Sequence, residues 1–182
     1  MLRQSADGND LMKYLNVSTT GLRGRHHPAL SNMVTAHEVK LSRPHVKFLA
    51  GNYLTYKIKS DQSGGSPRCR ICQSGCDETV SHVISTCQGM AVERNRLLSE
   101  FKVLCSKTKN QIVFDDIIKS EELLCQFILD PTSLNLHTRV SLSDPLVPQF
   151  YKLSRDFCYI LDKTRIGLLK EMENNSNLLS FV

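Results

Sequence analysis

Cys69 and Cys72 are separated by two residues, His82 follows after nine more, and Cys87 after a further four. Two cysteines at that spacing can grip one metal ion from one side. A histidine and a cysteine arriving together later close the other two corners of a tetrahedron. The order Cys-Cys-His-Cys supplies four ligands, which is the chemistry of a closed structural zinc site with no corner left for water or substrate. Cys76 lies inside the spacer and is a rival for the third corner. His82 is favoured because it and Cys87 follow a helix start, whereas Cys76 belongs to the Gln73-Ser74-Gly75 turn. The plainer alternative is a set of buried, reduced cysteines.

Several elements must position these ligands. Leu30, Met33, Val34, His37 and Leu41 recur at helical intervals and predict a helix over 29–41. Ser42 is placed to cap a second helix with Pro44 in its first turn, running to Leu49 and ended by Gly51. His45 and Lys47 are then expected to face solvent. Leu54, Tyr56 and Ile58 alternate with Thr55, Lys57 and Lys59, the pattern of a short strand. A loop over 60–67 delivers the chain to Cys69. Thr79 caps a short helix over 80–86 that carries His82 in its first turn, and a longer helix over 90–105 follows. Its inner stripe reads Val92, Leu97, Leu98, Phe101 and Leu104 or Cys105, with Arg94, Arg96 and Lys102 on the surface.

Further along, Phe114-Asp115-Asp116 superficially resembles the magnesium-binding aspartate pair of reverse transcriptases. That chemistry needs a hairpin between hydrophobic strands, whereas the apolar spacing from Ile117 to Leu129 is helical. Asp115 or Asp116 is therefore expected as a helix cap, and Cys125 as a buried face residue. A loop over 130–143 leads to a long helix that Asp144 or Val147 caps and Pro145 or Pro148 starts. Its apolar period, from Leu146 to Met172, supports about 25 residues, or roughly 37 Å.

The chain has 182 residues, of which 41% are hydrophobic, with seven cysteines and no Trp. The reading is mostly α: a small helical domain stapled by a zinc knuckle, with a long C-terminal helix. Residues 1–28 read as a disordered leader in which His26 and His27 are solvated, 29–110 as the helical zinc-knuckle module, 111–174 as a C-terminal helical segment and 175–182 as a frayed tail. An odd number of cysteines and an N-terminus without an apolar signal segment point to a reducing intracellular compartment, nuclear or cytoplasmic. No apolar run is long enough to span a membrane.

The net charge is +5, and it is unevenly spread: residues 36–110 carry twelve Lys/Arg against six Asp/Glu. The positive charge thus lies with the cysteine segment, and phosphate backbones are the default partner of such a patch. Lys57, Lys59, Arg68, Arg70, Arg94 and Arg96 are the candidate phosphate contacts. Arg68 and Arg70 flank Cys69, where they could also offset the excess charge of three thiolates. Tyr53 and Tyr56 could stack on bases, with core packing the expected role of at least one of them.

Taken together, His45 to Tyr53, Ser66 to Cys72, Glu78 to Cys87 and Glu93 to Arg96 resemble the cysteine-rich C-terminal segment of non-LTR (LINE-type) retrotransposon reverse transcriptases. In that family a helical stretch ending in a turn precedes a Cys-Cys-His-Cys cluster, and an arginine-bearing helix follows. The resemblance covers about residues 36–104 and implies Cys69, Cys72, His82 and Cys87 as zinc ligands and nucleic acid as partner. The family's fingers, palm and endonuclease domains have no counterpart here, so no catalysis is implied.

The leading expectation is a zinc-stabilised module that binds single-stranded RNA or DNA with low sequence specificity and is not an enzyme. The alternative is a zinc-fastened protein-interaction domain whose basic surface is incidental, with the C-terminal helix as a possible docking element. Metal-dependent catalysis ranks below both, because no paired carboxylates or activated nucleophile stand out.

Overall fold

The computed structural model describes Tyr14 and residues 28–31, 33, 35–53, 55–107, 114–131 and 146–179. Among them the elements are helical: α1 (Pro28–Ser31), α2 (Ala36–Leu49), α3 (Tyr56–Ser63), α4 (Ala91–Ser106), α5 (Phe114–Ile117), α6 (Glu121–Leu129) and α7 (Val147–Leu179). A π-turn, His82–Thr86, and a 3-10 turn, Gln88–Met90, lead into α4. The described residues hold an isolated antiparallel bridge, Arg68 to Asp77, and no strand. The mostly helical expectation, with a long C-terminal helix, is what the chain adopts.

The start of α2 is set by a capping box. Thr35 Oγ1 accepts from the Glu38 N–H at 3.2 Å, and the Glu38 carboxylate accepts from the Thr35 N–H at 2.9 Å. Two orphan donors are satisfied reciprocally. The predicted break at Ser42 does not occur, and α2 runs through Pro44 to Leu49. An interior proline costs a helix about 3 kcal/mol. Here Ser42, Pro44, His45, Phe48 and Leu49 are all buried, and burial of that face outweighs the cost. Gly51 ends the segment as expected, at φ 67. His45 is a correction too: it is 1% exposed, and its Nε2 lies 2.7 Å from the Leu129 carbonyl. The ring satisfies one of the carbonyls that a helix leaves open at its C-terminus, here that of α6.

The segment around Tyr56 is helix α3 rather than a strand. Its first-turn N–H of Tyr56 donates to Glu78 Oε2 at 2.6 Å, and the Lys57 N–H donates to the Glu78 carbonyl at 3.3 Å. A carboxylate at a helix N-terminus meets both unpaired donors and the positive end of the dipole. Because the cap comes from 22 residues downstream, local alternation misreads the element.

Leu97, Phe101, Leu104 and Cys105 line the inner face of α4 as predicted, but Val92 is 82% exposed and Arg94 is buried. In place of Asp115 or Asp116, Ser120 caps α6, its hydroxyl accepting from the Leu123 N–H. The two aspartates lie in α5 and pair on the surface with Lys102 and Lys119. Cys125 is fully buried, as expected.

Helix α7 has 33 residues, about 50 Å at 1.5 Å per residue. It braces α2 and α4 along its length and continues to Leu179, past the predicted end of the helical segment. The core is phenylalanine-rich: Phe101 meets Phe127 at 5.3 Å and Phe157 at 6.0 Å, and Phe127 meets Phe114 and Phe150. Edge-on pairs of this kind add to the apolar area they bury. Asp130 is buried beside them and accepts from the Tyr151 hydroxyl at 2.8 Å.

Most of the predicted leader, with His26 and His27, lies outside the described residues, as does the loop beyond Pro131. Tyr14 departs from the leader expectation: it is buried against α6, and its carbonyl accepts from Gln126 Nε2 at 2.9 Å. Among the described residues no helix is long and apolar enough to cross a membrane.

Candidate metal centre

Residues 67–78 fold back on themselves as a tight knuckle. The Cys69 N–H donates to the Cys76 carbonyl and the Glu78 N–H to the Pro67 carbonyl, each at 2.8 Å. Positive φ at Gln73 (52°) and Gly75 (79°) turns the chain between them. This presents Cys69 inward, with Cys72 at the mouth of the turn.

The other two ligands come from the π-turn. Thr79 Oγ1 accepts from the His82 N–H at 3.1 Å, which starts the turn where the sequence predicted. The Cys87 N–H then donates to the His82 carbonyl at 2.8 Å. On an α-helix, side chains five residues apart point about 140° away from each other. The wider i to i+5 turn removes most of that divergence, and such turns recur at functional sites. It sets His82 and Cys87 against the knuckle.

One ligand atom from each of Cys69, Cys72, His82 and Cys87 lies within 4.8 Å of all the others. Metal–sulfur bonds of about 2.3 Å put the sulfur–sulfur edges of a tetrahedron near ~3.8 Å and the sulfur–nitrogen edges near ~3.5 Å. Cys69 Sγ and Cys87 Sγ are 3.8 Å apart, and Cys72 Sγ and His82 Nε2 are 3.4 Å apart. The donor set and its edges fit a tetrahedral metal ion. Cys76 is exposed and is not a member of this group.

The surroundings favour ligation. His82 Nδ1 is 3.2 Å from Thr86 Oγ1, which fixes the ring and leaves Nε2 facing the sulfurs. Burial would raise the Cys72 thiol, but the Ser74 hydroxyl, 3.0 Å away, and the Ser74 backbone draw it down to about 6. Burial pushes Cys87 up to about 12, with Cys69 and Cys72 adding to the effect, and burial also raises Cys69. A cation would reverse that penalty by stabilising the thiolates.

Of the six predicted basic contacts, three differ from expectation in their surroundings. Arg94 is buried, 6% exposed, and its Nη1 donates to the Cys87 carbonyl at 2.7 Å. Burial draws its pKa down and Cys87 opposes that fall, so Arg94 is the cation placed to offset thiolate charge. Arg96 is exposed but bridges Glu93 and Glu100. Lys57 is half-buried in the first turn of α3. Lys59, Arg68 and Arg70 are exposed. The Arg70 Cζ and Lys59 Nζ lie 4.8 Å and 5.4 Å from the Tyr56 ring centroid. Tyr53 is a core residue, stacked on Phe48 at 3.7 Å and donating its hydroxyl to Asp162.

The sequence reading missed Glu78, Arg165 and Gly89. Glu78 is fully buried and receives Arg165 in a two-pronged pair. Arg165 follows Phe157 and Leu161 at helical spacing on the inner stripe of α7, and a charge at that position was the available signal for a buried partner. Gly89 packs against Ile71 so closely that an added Cβ would collide with it. No protein-family model, curated protein or solved structure matches the chain.

Proposed function

We propose that the chain is a zinc-stabilised nucleic-acid-binding module that does not itself catalyse a reaction. Zinc is the natural occupant of a three-sulfur, one-nitrogen tetrahedron, and its role here would be to fasten the knuckle to α4. With all four corners taken by protein, the ion would have no position at which to activate water or substrate.

The observation that carries the binding reading is the pair Lys59 and Arg70 over the Tyr56 ring, with Arg68 exposed on the other side of the ligand Cys69 in sequence. Folding of the metal site would hold two of these cations in place, since Arg68 and Arg70 flank a ligand. The motif resemblance to the tails of non-LTR retrotransposon reverse transcriptases supports the same partner class. Single-stranded RNA or DNA, bound mainly through phosphates, is the expected ligand.

A second reading has its own observation. A groove of about 500 Å³ between α4 and α7 is lined by Val103, Leu104 and Leu153 together with Gln149 and the charged Glu100, Lys107, Lys152 and Asp156. That surface suits a protein partner docking on the long helix, the zinc only fastening the fold.

Titrating the zinc-loaded chain with labelled single-stranded RNA and DNA over a range of salt tests the first reading. Three phosphate contacts predict a log–log slope of about −2. No binding at the lowest salt would end it and leave the interaction-domain reading in place.

A further inference from the structure

Helix α2 sorts its charges onto different sides. Ser42, Pro44, His45, Phe48 and Leu49 are buried, whereas Lys40, Arg43 and Lys47 are exposed. Positions i, i+3 and i+7 share one face of a helix. The three cations therefore form a row, with rises of about 4.5 Å and 6 Å between them. The exposed His37 extends the row by one turn toward the N-terminus. Glu38 is the sole carboxylate of α2, and it lies on the far side, about 160° around the axis from Lys40. It is held there by the N–H and hydroxyl of Thr35.

The row is also unneutralised. Arg96, Lys102, Lys119, Arg155 and Arg165 each pair with a carboxylate. Among the described residues Lys40, Arg43 and Lys47 do not. Three open cations at fixed spacing on a braced helix suit a polyanion.

The make-up of the face narrows which polyanion. A basic amphipathic helix that lies on a membrane inserts its apolar side, and here that side is packed against α7. Single strands are bound by combining cations with aromatic rings on which bases stack. The row of His37, Lys40, Arg43 and Lys47 has no Tyr, Phe or Trp. A duplex keeps its bases stacked inside and offers its phosphates, which Lys and Arg hold without reading sequence.

We propose that the outward face of α2 binds double-stranded nucleic acid, with Lys40, Arg43 and Lys47 as its phosphate contacts. The face shares a general partner class with the function proposed above, but neither its residues nor its metal. The Tyr56 ring with Lys59 and Arg70 serves a single strand, and the ring-free row on α2 serves a paired one.

The test is a salt titration of the zinc-loaded full chain with a short blunt duplex, run beside a single strand of the same length. Three contacts predict a duplex slope of about −2.7, or a loss of about 40-fold in affinity for a fourfold rise in salt. Lys40→Gln, Arg43→Gln and Lys47→Gln together should bring that slope near zero, with the melting temperature and single-strand binding unchanged. Lys47→Gln alone should take about 0.9 off the slope. Arg68→Ala with Arg70→Ala should leave duplex binding as it was. No duplex binding at the lowest salt, or a triple variant with the parent slope, would overturn the α2 face and leave the single-strand reading standing. Equal loss of duplex and single strand in the triple variant would also overturn it, since the face would then serve any polyanion. Duplex binding at the expected slope without single-strand binding would support the α2 face and end the single-strand reading.

Discussion

Arg165 of the long helix closes on Glu78 of the knuckle, Nε donating to Oε1 at 3.0 Å and Nη2 to Oε2 at 2.7 Å, with both side chains buried. Glu78 Oε2 also accepts the Tyr56 N–H that opens α3. The guanidinium lies 5.5 Å from the Tyr53 ring centroid and 5.8 Å from that of Tyr56. One carboxylate therefore ties together the knuckle, α3 and α7.

Removing one side of this pair leaves a buried charge unmatched, which typically costs about 3–5 kcal/mol. Arg165→Ala is expected to destabilise the chain by that much, on the order of a 10 °C fall in melting temperature. Glu78→Gln with Arg165→Met should recover part of the loss. Denaturant unfolding of the single and double variants measures both, and an Arg165→Ala chain as stable as the parent would show that the pair holds nothing together.

The metal site makes its own ranking. One zinc per chain is expected, and Cys69→Ser, Cys72→Ser or His82→Ala should each weaken it strongly, whereas Cys76→Ser should not. Structural zinc sites carry about 10–16 kcal/mol of apparent binding free energy, so chelation should loosen the knuckle and α4 together. Thr86→Val, which removes the partner of His82 Nδ1, should cost roughly 10-fold or more in affinity. Competition with a chromophoric chelator gives all five values. A melting curve indifferent to chelator would remove the metal from the account.

Much of this site was legible because its ligands are local. Cys69 to Cys87 span nineteen residues, and ligand spacing and the Thr79 start can be read directly along the chain. What could not be read was supplied from a distance. Glu78 caps α3 from 22 residues away, so the alternation at Tyr56 looked like a strand. His45 answers a carbonyl 84 residues on, and nothing near it in sequence says so. The break expected at Pro44 does not form because propensity is local, whereas the burial that overrides it depends on α7. Arg94 looked like surface charge because helical periodicity does not reveal a carbonyl waiting at Cys87.

The thiol of Cys72 gives a pH signature in the metal-free chain. Folding lowers its pKa to about 6, so its contribution to stability is present at high pH and is lost as pH falls through that value. Thiolate is also the reactive form. In a metal-free Cys76→Ser background, alkylation mapped to Cys72 should be half-maximal near pH 6, while Cys87, pushed up to about 12, stays unreactive there. Saturating zinc should suppress the Cys72 reaction. A midpoint at the ordinary thiol value of about 8.5 would mean that Ser74 does not hold the thiolate.

The basic face separates charges that the sequence alone would pool. If Lys59, Arg68 and Arg70 meet phosphates, each contributes about −0.7 to the log–log salt slope for a single strand. Arg68→Ala with Arg70→Ala should then flatten the slope from about −2 to about −0.7 while leaving zinc affinity unchanged. Arg96→Ala should barely alter the slope, because Arg96 is already engaged by Glu93 and Glu100. Arg94→Ala should act differently again. It strips the Cys87 carbonyl of its side-chain donor, leaving only the Met90 N–H, so it should weaken zinc first and lose nucleic acid only as the knuckle opens. Parallel titrations of metal and nucleic acid on these variants read out each arm. Should Arg96→Ala flatten the slope as much as the Arg68/Arg70 pair does, the phosphates lie along α4 and not beside Tyr56.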